Sequence, residues 1–250
     1  MEDFGYKLSF VNDKYTFDDV EYVKNTLDDF HLILTELYIP EPTPKAQKID
    51  IPFTNGSLDL TEVTGITPYN DREGLEFKFY LRDENAEEWA IIIRRLSMFL
   101  HGQRMKMMVE FEPSVYYIVR LDVDPKKSIK KDSTIVLKGS AHPFKYGLLA
   151  SNEPWLWDPF SFVDGIIEDT SDIKVEGSAT ITIQSGGVPT SPEFYVSRTN
   201  GLGVMYGNRK LEMPQTGYYK FPQITVGEES KTIEFTGNGV VSIAYRSRFL

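Results

Sequence analysis

Apolar residues recur at every second position along much of this chain, and that period selects strands. In GLEFKFYL, Leu75, Phe77, Phe79 and Leu81 alternate with Glu76, Lys78 and Tyr80. Successive side chains of a strand point to opposite faces, so such a run is a strand with one face buried. Residues 178–184 alternate in the same way, with Ile181 and Ile183 on one face and Thr180 and Thr182 on the other. Further strands are expected over residues 4–11, 31–39, 106–112, 116–123 and 133–141. In the second half they are expected over 193–197, 202–206, 218–221, 231–235 and 240–245. Turn signals separate them: Asn55-Gly56, Gly74, SGG, TNG, YGN and GNG. An aromatic content of 13%, rich in Tyr and Phe, suits strands better than a helical bundle. The expected chain is mostly β, with a second half that reads as an all-β sandwich.

One segment breaks the period. Trp89, Ile92, Ile93, Leu96, Phe99 and Leu100 recur at helical spacing and form a single apolar stripe. Asn85 stands as an N-cap, with Glu88 three residues on, as a capping box requires. Gly102 supplies the stop. The stripe covers either a sheet of the same chain or another subunit, and the intramolecular core is preferred. Residues 40–47, PEPTPKAQ, are too proline-rich for a regular element and read as an extended arm or loop. A domain boundary is expected within residues 142–154, dividing the chain into 1–145 and 146–250. The lysine-rich stretch 124–132, DPKKSIKKD, reads as a solvated turn or a basic contact patch.

Charge and composition narrow the function classes. The 250 residues hold 27 basic and 37 acidic side chains, a net charge of -10. An acidic surface disfavours phosphate backbones and anionic membranes. There is no cysteine, so disulfides, thiolate nucleophiles and Cys-ligated zinc are excluded. The opening MEDFGYKLSF shows no secretory signal, and no apolar run reaches the ~18 residues that span a bilayer. The expectation is a soluble protein made in the cytoplasm.

Catalytic patterns are missing. There is no GxSxG, HExxH, Walker loop or GxGxxG after a strand. His31 falls in an apolar strand, His101 at a helix end and His142 before a proline, without metal-ligand spacing. Asp122 and Asp124 form a DxD pair but lack the other ligands of a cation loop. Carboxylates are numerous, yet no pair stands out as a glycosidase couple. Trp155, Trp157, Phe160 and Phe162 cluster in PWLWDPFSF, as core or domain seam, or as a platform for sugar rings. No catalytic, cofactor-binding or metal-binding residue is assigned, no cofactor is expected, and the chain reads as a non-enzyme.

An ordered series of motifs carries a resemblance. KIDIPFTNGSLDLTE (48–62), PYNDREGLEFKFYL (68–81), LHGQRMKM (100–107), YYIVRLDV (116–123) and AHPFKYG (141–147) follow one another at characteristic spacing. PWLWDPFSFVDG (154–165) and VVSIAYRSRFL (240–250) extend it. Together they resemble the distal tail protein (Dit) family of siphophages, baseplate hub proteins of non-contractile tails. Two departures are mild. Ile118-Val119 precedes Arg120 where the family often has a glycine, and the usual PYK ending reads Pro143-Phe144-Lys145.

The resemblance implies an N-terminal split β-barrel with one helix and an extended arm, and a C-terminal galectin-like β-sandwich. The last strand, ending at Leu250, returns toward the N-terminal domain in this picture. Six copies would close into a homo-hexameric ring through residues 1–145, at the distal end of the phage tail in the virion. The ring would join the tail tube protein to the tail-tip protein and offer docking sites for receptor-binding proteins. Phage DNA would pass the lumen without specific binding, and no membrane is involved. The alternative is a cell-wall carbohydrate-binding module. The second half has no histidine and no match to the His-Asn-x-Arg sugar motif of galectins.

Overall fold

The computed structural model describes residues 6–63, 65–82, 86–127, 132–148, 150–151, 170–183, 187–227 and 229–250. The chain divides into two compact units, Met1–Lys145 with Leu250, and Tyr146–Phe249. The architecture is mostly β with one α-helix.

The first unit is built on one antiparallel sheet. Its strands are β1 (Leu8–Asn12), β2 (Lys24–Asn25), β3 (Leu32–Tyr38), β6 (Arg72–Arg82), β7 (Arg104–Val109), β8 (Val115–Lys127) and β9 (Asp132–Gly147). They lie in the order β2-β1-β7-β8-β9-β6-β3. A short hairpin, β4 (Lys48–Asp50) with β5 (Ser57–Asp59), stands apart as its own two-stranded sheet. The period-two run behaves as its pattern requires. Leu75, Phe77, Phe79 and Leu81 of β6 are all buried, while Glu76, Lys78 and Tyr80 are partly exposed. Helix α1 (Ala86–Leu100) lays its stripe on this core. Ile92, Leu96 and Leu100 are buried, and Trp89, Ile93 and Phe99 pack at the margin. The stripe therefore covers the sheet of its own chain. Gly102 follows at φ 67, a left-handed turn that few other residues adopt cheaply, and its N–H donates to the Leu121 carbonyl. The N-cap expected at Asn85 lies outside the described residues.

The second unit holds β10 (Ile173–Ile183), β11 (Glu193–Tyr206), β12 (Arg209–Glu212), β13 (Gly217–Lys220), β14 (Lys231–Ala244) and β15 (Arg248–Phe249). Its five-stranded sheet runs β10-β14-β11-β12, with β13 also on β11. Val175, Phe194, Val196, Val204, Ile233, Phe235, Val241 and Ile243 form the centre of its core. Gly147 donates to the Ser247 carbonyl at 2.9 Å, and Arg248 lies 5.6 Å from the Tyr146 ring, so β15 is tied to the start of this unit.

Several elements differ from the sequence expectation, for physical reasons. TNG and GNG are not turns. Each lies inside one long strand, β11 and β14, and the two face each other across a bulge between Asn200 and Gly203. A Cβ on Gly237 would stand 2.0 Å from the Gly201 carbonyl oxygen, and one on Gly239 would stand 2.3 Å from that of Arg198. These glycines admit a close backbone approach, which mimics a turn signal in sequence. Strand β9 runs on through His142 to Gly147, so the stretch expected to hold the domain boundary begins as strand. Strand β8 extends to Lys127, which shortens the lysine-rich turn. His31 is not inside a strand. It precedes β3, exposed, at φ 57.

Leu96 is buried at the centre of the α1–sheet contact. Leu96→Ala removes that packing and leaves a cavity, so chemical denaturation of the first unit should show a loss of about 3 kcal/mol, against under ~1 kcal/mol for exposed Met98→Ala.

Candidate functional site

The side chains that most often carry chemistry are spread apart in the structure. His31 is exposed beside the helix. His101 accepts the Val123 N–H on Nδ1 at 3.0 Å, and that nitrogen lies 3.8 Å from Asp122. His142 packs against Phe144, with ring centroids 5.7 Å apart. Asp124 is 3.9 Å from Lys126 of its own strand. Among the described residues, no group of three His, Asp or Glu side chains is placed to hold a metal ion. Trp155, Trp157, Phe160 and Phe162 lie outside the described residues.

What the first unit does build is an anchored arm. Arg72, at the start of β6, is buried to 1% exposure. Its Nε donates to the Pro143 carbonyl at 2.9 Å, and Nη1 donates to the Pro40 carbonyl at 2.8 Å. Nη1 also reaches the Glu41 carboxylate at 3.2 Å. The guanidinium carbon stands 5.8 Å from the Tyr117 ring centre, and Lys145 approaches that ring at 5.9 Å. Lys145 is paired with Glu112 at 3.0 Å. A buried guanidinium is tolerable because carbonyls, a carboxylate and an aromatic face surround it. One cation thus ties the root of the proline-rich segment to the end of β9.

Beyond that root the chain leaves the sheet. Lys45 donates to the Pro68 carbonyl and Asn70 to the Thr43 carbonyl, both at 2.8 Å, closing the base of a loop. Tyr69 at this base packs edge-on against Phe144. The loop carries the β4–β5 hairpin, and residues 43–59 are exposed throughout. Ile49, Ile51, Phe53, Leu58 and Val63 present apolar side chains to solvent. A two-stranded hairpin without a covering layer is marginal in water. The sequence marked only residues 40–47 as an arm. It missed the hairpin beyond, although Asn55-Gly56 was the signal, because IDIP and SLDL are too short to show a period.

Comparison with known proteins follows the same outline. No family model matches the sequence, and no curated protein matches it. Among solved structures, the chain is similar to SPP1 Dit (gp 19.1), described as a paradigm of hub adsorption apparatus in Gram-positive infecting phages. The TM-score is 0.60 at 14% identity, over 97% of this chain and 99% of that one. The two proteins share a fold. The likeness to SPP1 Dit runs through both units, as an alignment of that extent requires.

The anchor also sets a pH dependence. Burial, the largest influence, pushes the Tyr117 phenol up, against the pull of Lys145 and Arg72. Burial works against the charged form of Lys145, but its hydrogen bond to Glu112 and the negative neighbours prevail, and its pKa also lies above the ordinary value. Both groups hold protons more tightly when folded. Their contribution is complete below the unfolded values and is lost as pH rises through the folded ones. The urea midpoint of the first unit should therefore fall as pH climbs above about 10, and Tyr117→Phe should flatten that fall.

Proposed function

We propose that the chain is a structural subunit of a phage tail tip, the hexameric hub ring that connects the tail tube to the tail-tip protein. The observation that carries this reading is the likeness to a hub protein across both units rather than one. The ordered motifs from Ile49 to Lys145 support it independently. In this reading residues 1–145 form the ring, and residues 146–250 form an outward galectin-like domain that docks receptor-binding proteins. The chain acts by assembly and catalyses nothing. The net charge of -10 suits a conduit, since an acidic lumen repels passing DNA instead of retaining it. Native mass spectrometry of the full chain, alone and with the tail tube protein, tests the reading. A species of six times the 28.7 kDa chain mass is expected. A strict monomer under both conditions counts against it.

A second reading has one specific observation behind it. Tyr195 and Tyr218 are directly paired across β11 and β13, with exposed rings 4.9 Å apart. The adjacent Glu193–Lys220 ion pair leaves the patch without net charge. Exposed rings flanked by polar groups can stack on neutral sugars. Pull-down of the full chain on purified cell walls is the measurement. Retention abolished in Tyr195→Ala/Tyr218→Ala supports a carbohydrate role, and equal recovery of both proteins in the unbound fraction removes it.

A further inference from the structure

One ring nitrogen of His101 is shared by two groups that need opposite protonation states. We infer that His101 is a proton switch at the joint between α1 and β8. Neutral, it holds the Val123 N–H; protonated, it releases that N–H and pairs with Asp122.

The joint exists because β8 outruns its neighbour. Strand β7 begins at Arg104, opposite Arg120, while β8 continues to Lys127. The residues just after α1 fill the place that β7 leaves. His101 bridges to Leu121, and the Gly102 N–H donates to the Leu121 carbonyl at 2.8 Å. The N–H groups of a strand alternate between its two edges, so Val123 carries the next donor on this one. It donates to His101 Nδ1 at 3.0 Å, a side chain standing where a strand would offer a carbonyl. Pro125, next on the same edge, has no N–H, and the ladder ends there.

Only a ring nitrogen that carries no proton can accept the Val123 N–H. The same Nδ1 lies 3.8 Å from the Asp122 carboxylate, which attracts the ring only when it is protonated. A bare Nδ1 therefore faces a negative charge, and a protonated one faces an N–H donor. Neither state satisfies both neighbours, so one proton decides between them. Imidazole is the side chain whose charge changes near neutral pH. His101 and Asp122 are 54% and 71% exposed, so solvent delivers that proton freely.

The other charges around the joint are engaged. Arg120 donates to the Gly102 carbonyl, and Arg104 pairs with Asp13 at 2.8 Å. Asp124 lies 3.9 Å from Lys126. On β9, whose Gly139 abuts the Arg120 carbonyl, Lys138 pairs with Glu76 at 3.5 Å. The last turn of α1, residues 97–100, has no charged side chain. Protonation leaves the Gly102–Leu121 bond in place, so the helix end stays attached while the β8 edge opens at Val123.

Proton–nitrogen NMR of the full chain between about pH 8 and pH 5 follows the His101 ring and the Val123 amide together. The Val123 amide shift should titrate with the midpoint of the His101 ring. His101→Asn sets an oxygen acceptor near the place of Nδ1 and has no proton to gain, so its Val123 amide should stay still. Relative to that variant, wild-type Val123 hydrogen exchange should speed up about fivefold from the neutral to the acid end. Asp122→Asn should move the ring midpoint to lower pH. A Val123 amide that stays still while the wild-type ring titrates, or that moves equally in His101→Asn, overturns the proposal. So does a ring midpoint unchanged in Asp122→Asn.

Discussion

The first unit depends on a buried cation. Arg72 sits where three segments meet: the start of β6, the end of β9 and the root of the arm. Removing a charge from water is costly, and two backbone carbonyls and a carboxylate offset it on Nε and Nη1, while Nη2 is buried without a hydrogen-bond partner. The Pro143 and Pro40 carbonyls accept from the Arg72 Nε and Nη1. Tyr117, Lys145 and Glu112 complete a compact network of charge and aromatic surface. With this point fixed, the hairpin beyond it is held at its base.

The unit then separates two kinds of apolar surface. One is sealed inside, where Leu96 and Leu100 of α1 share a core cluster with Phe77 of β6 and Leu121 of β8. The other is left outside, on the arm and on the far side of the same helix. Phe53, Val63 and Met98 are all exposed, at 108%, 74% and 80%.

Much of the fold was legible from spacing alone. The alternation from Leu75 to Leu81 marked β6, and the recurrence from Trp89 to Leu100 marked α1, because a half-buried element prints its geometry on its residues. The same logic failed where glycine had a second use. Gly201, Gly237 and Gly239 looked like strand ends, yet Gly237 and Gly239 let two long strands approach backbone to backbone and Gly201 supplies a left-handed φ of 65 at the bulge. The hairpin was missed because IDIP and SLDL are too short to show a period. The Arg72 anchor joins residues far apart in sequence, and no local pattern reveals such a contact.

That glycine seam in the second unit acts as a steric key. Strands β11 and β14 share fourteen-residue lengths and a run of small and β-branched side chains, a combination that tolerates sliding. Slipping by one residue would set Asn238 or Val240 against the carbonyls that Gly237 and Gly239 now face. The misaligned pairing is blocked by collision, so the two strands find their alignment through what cannot fit.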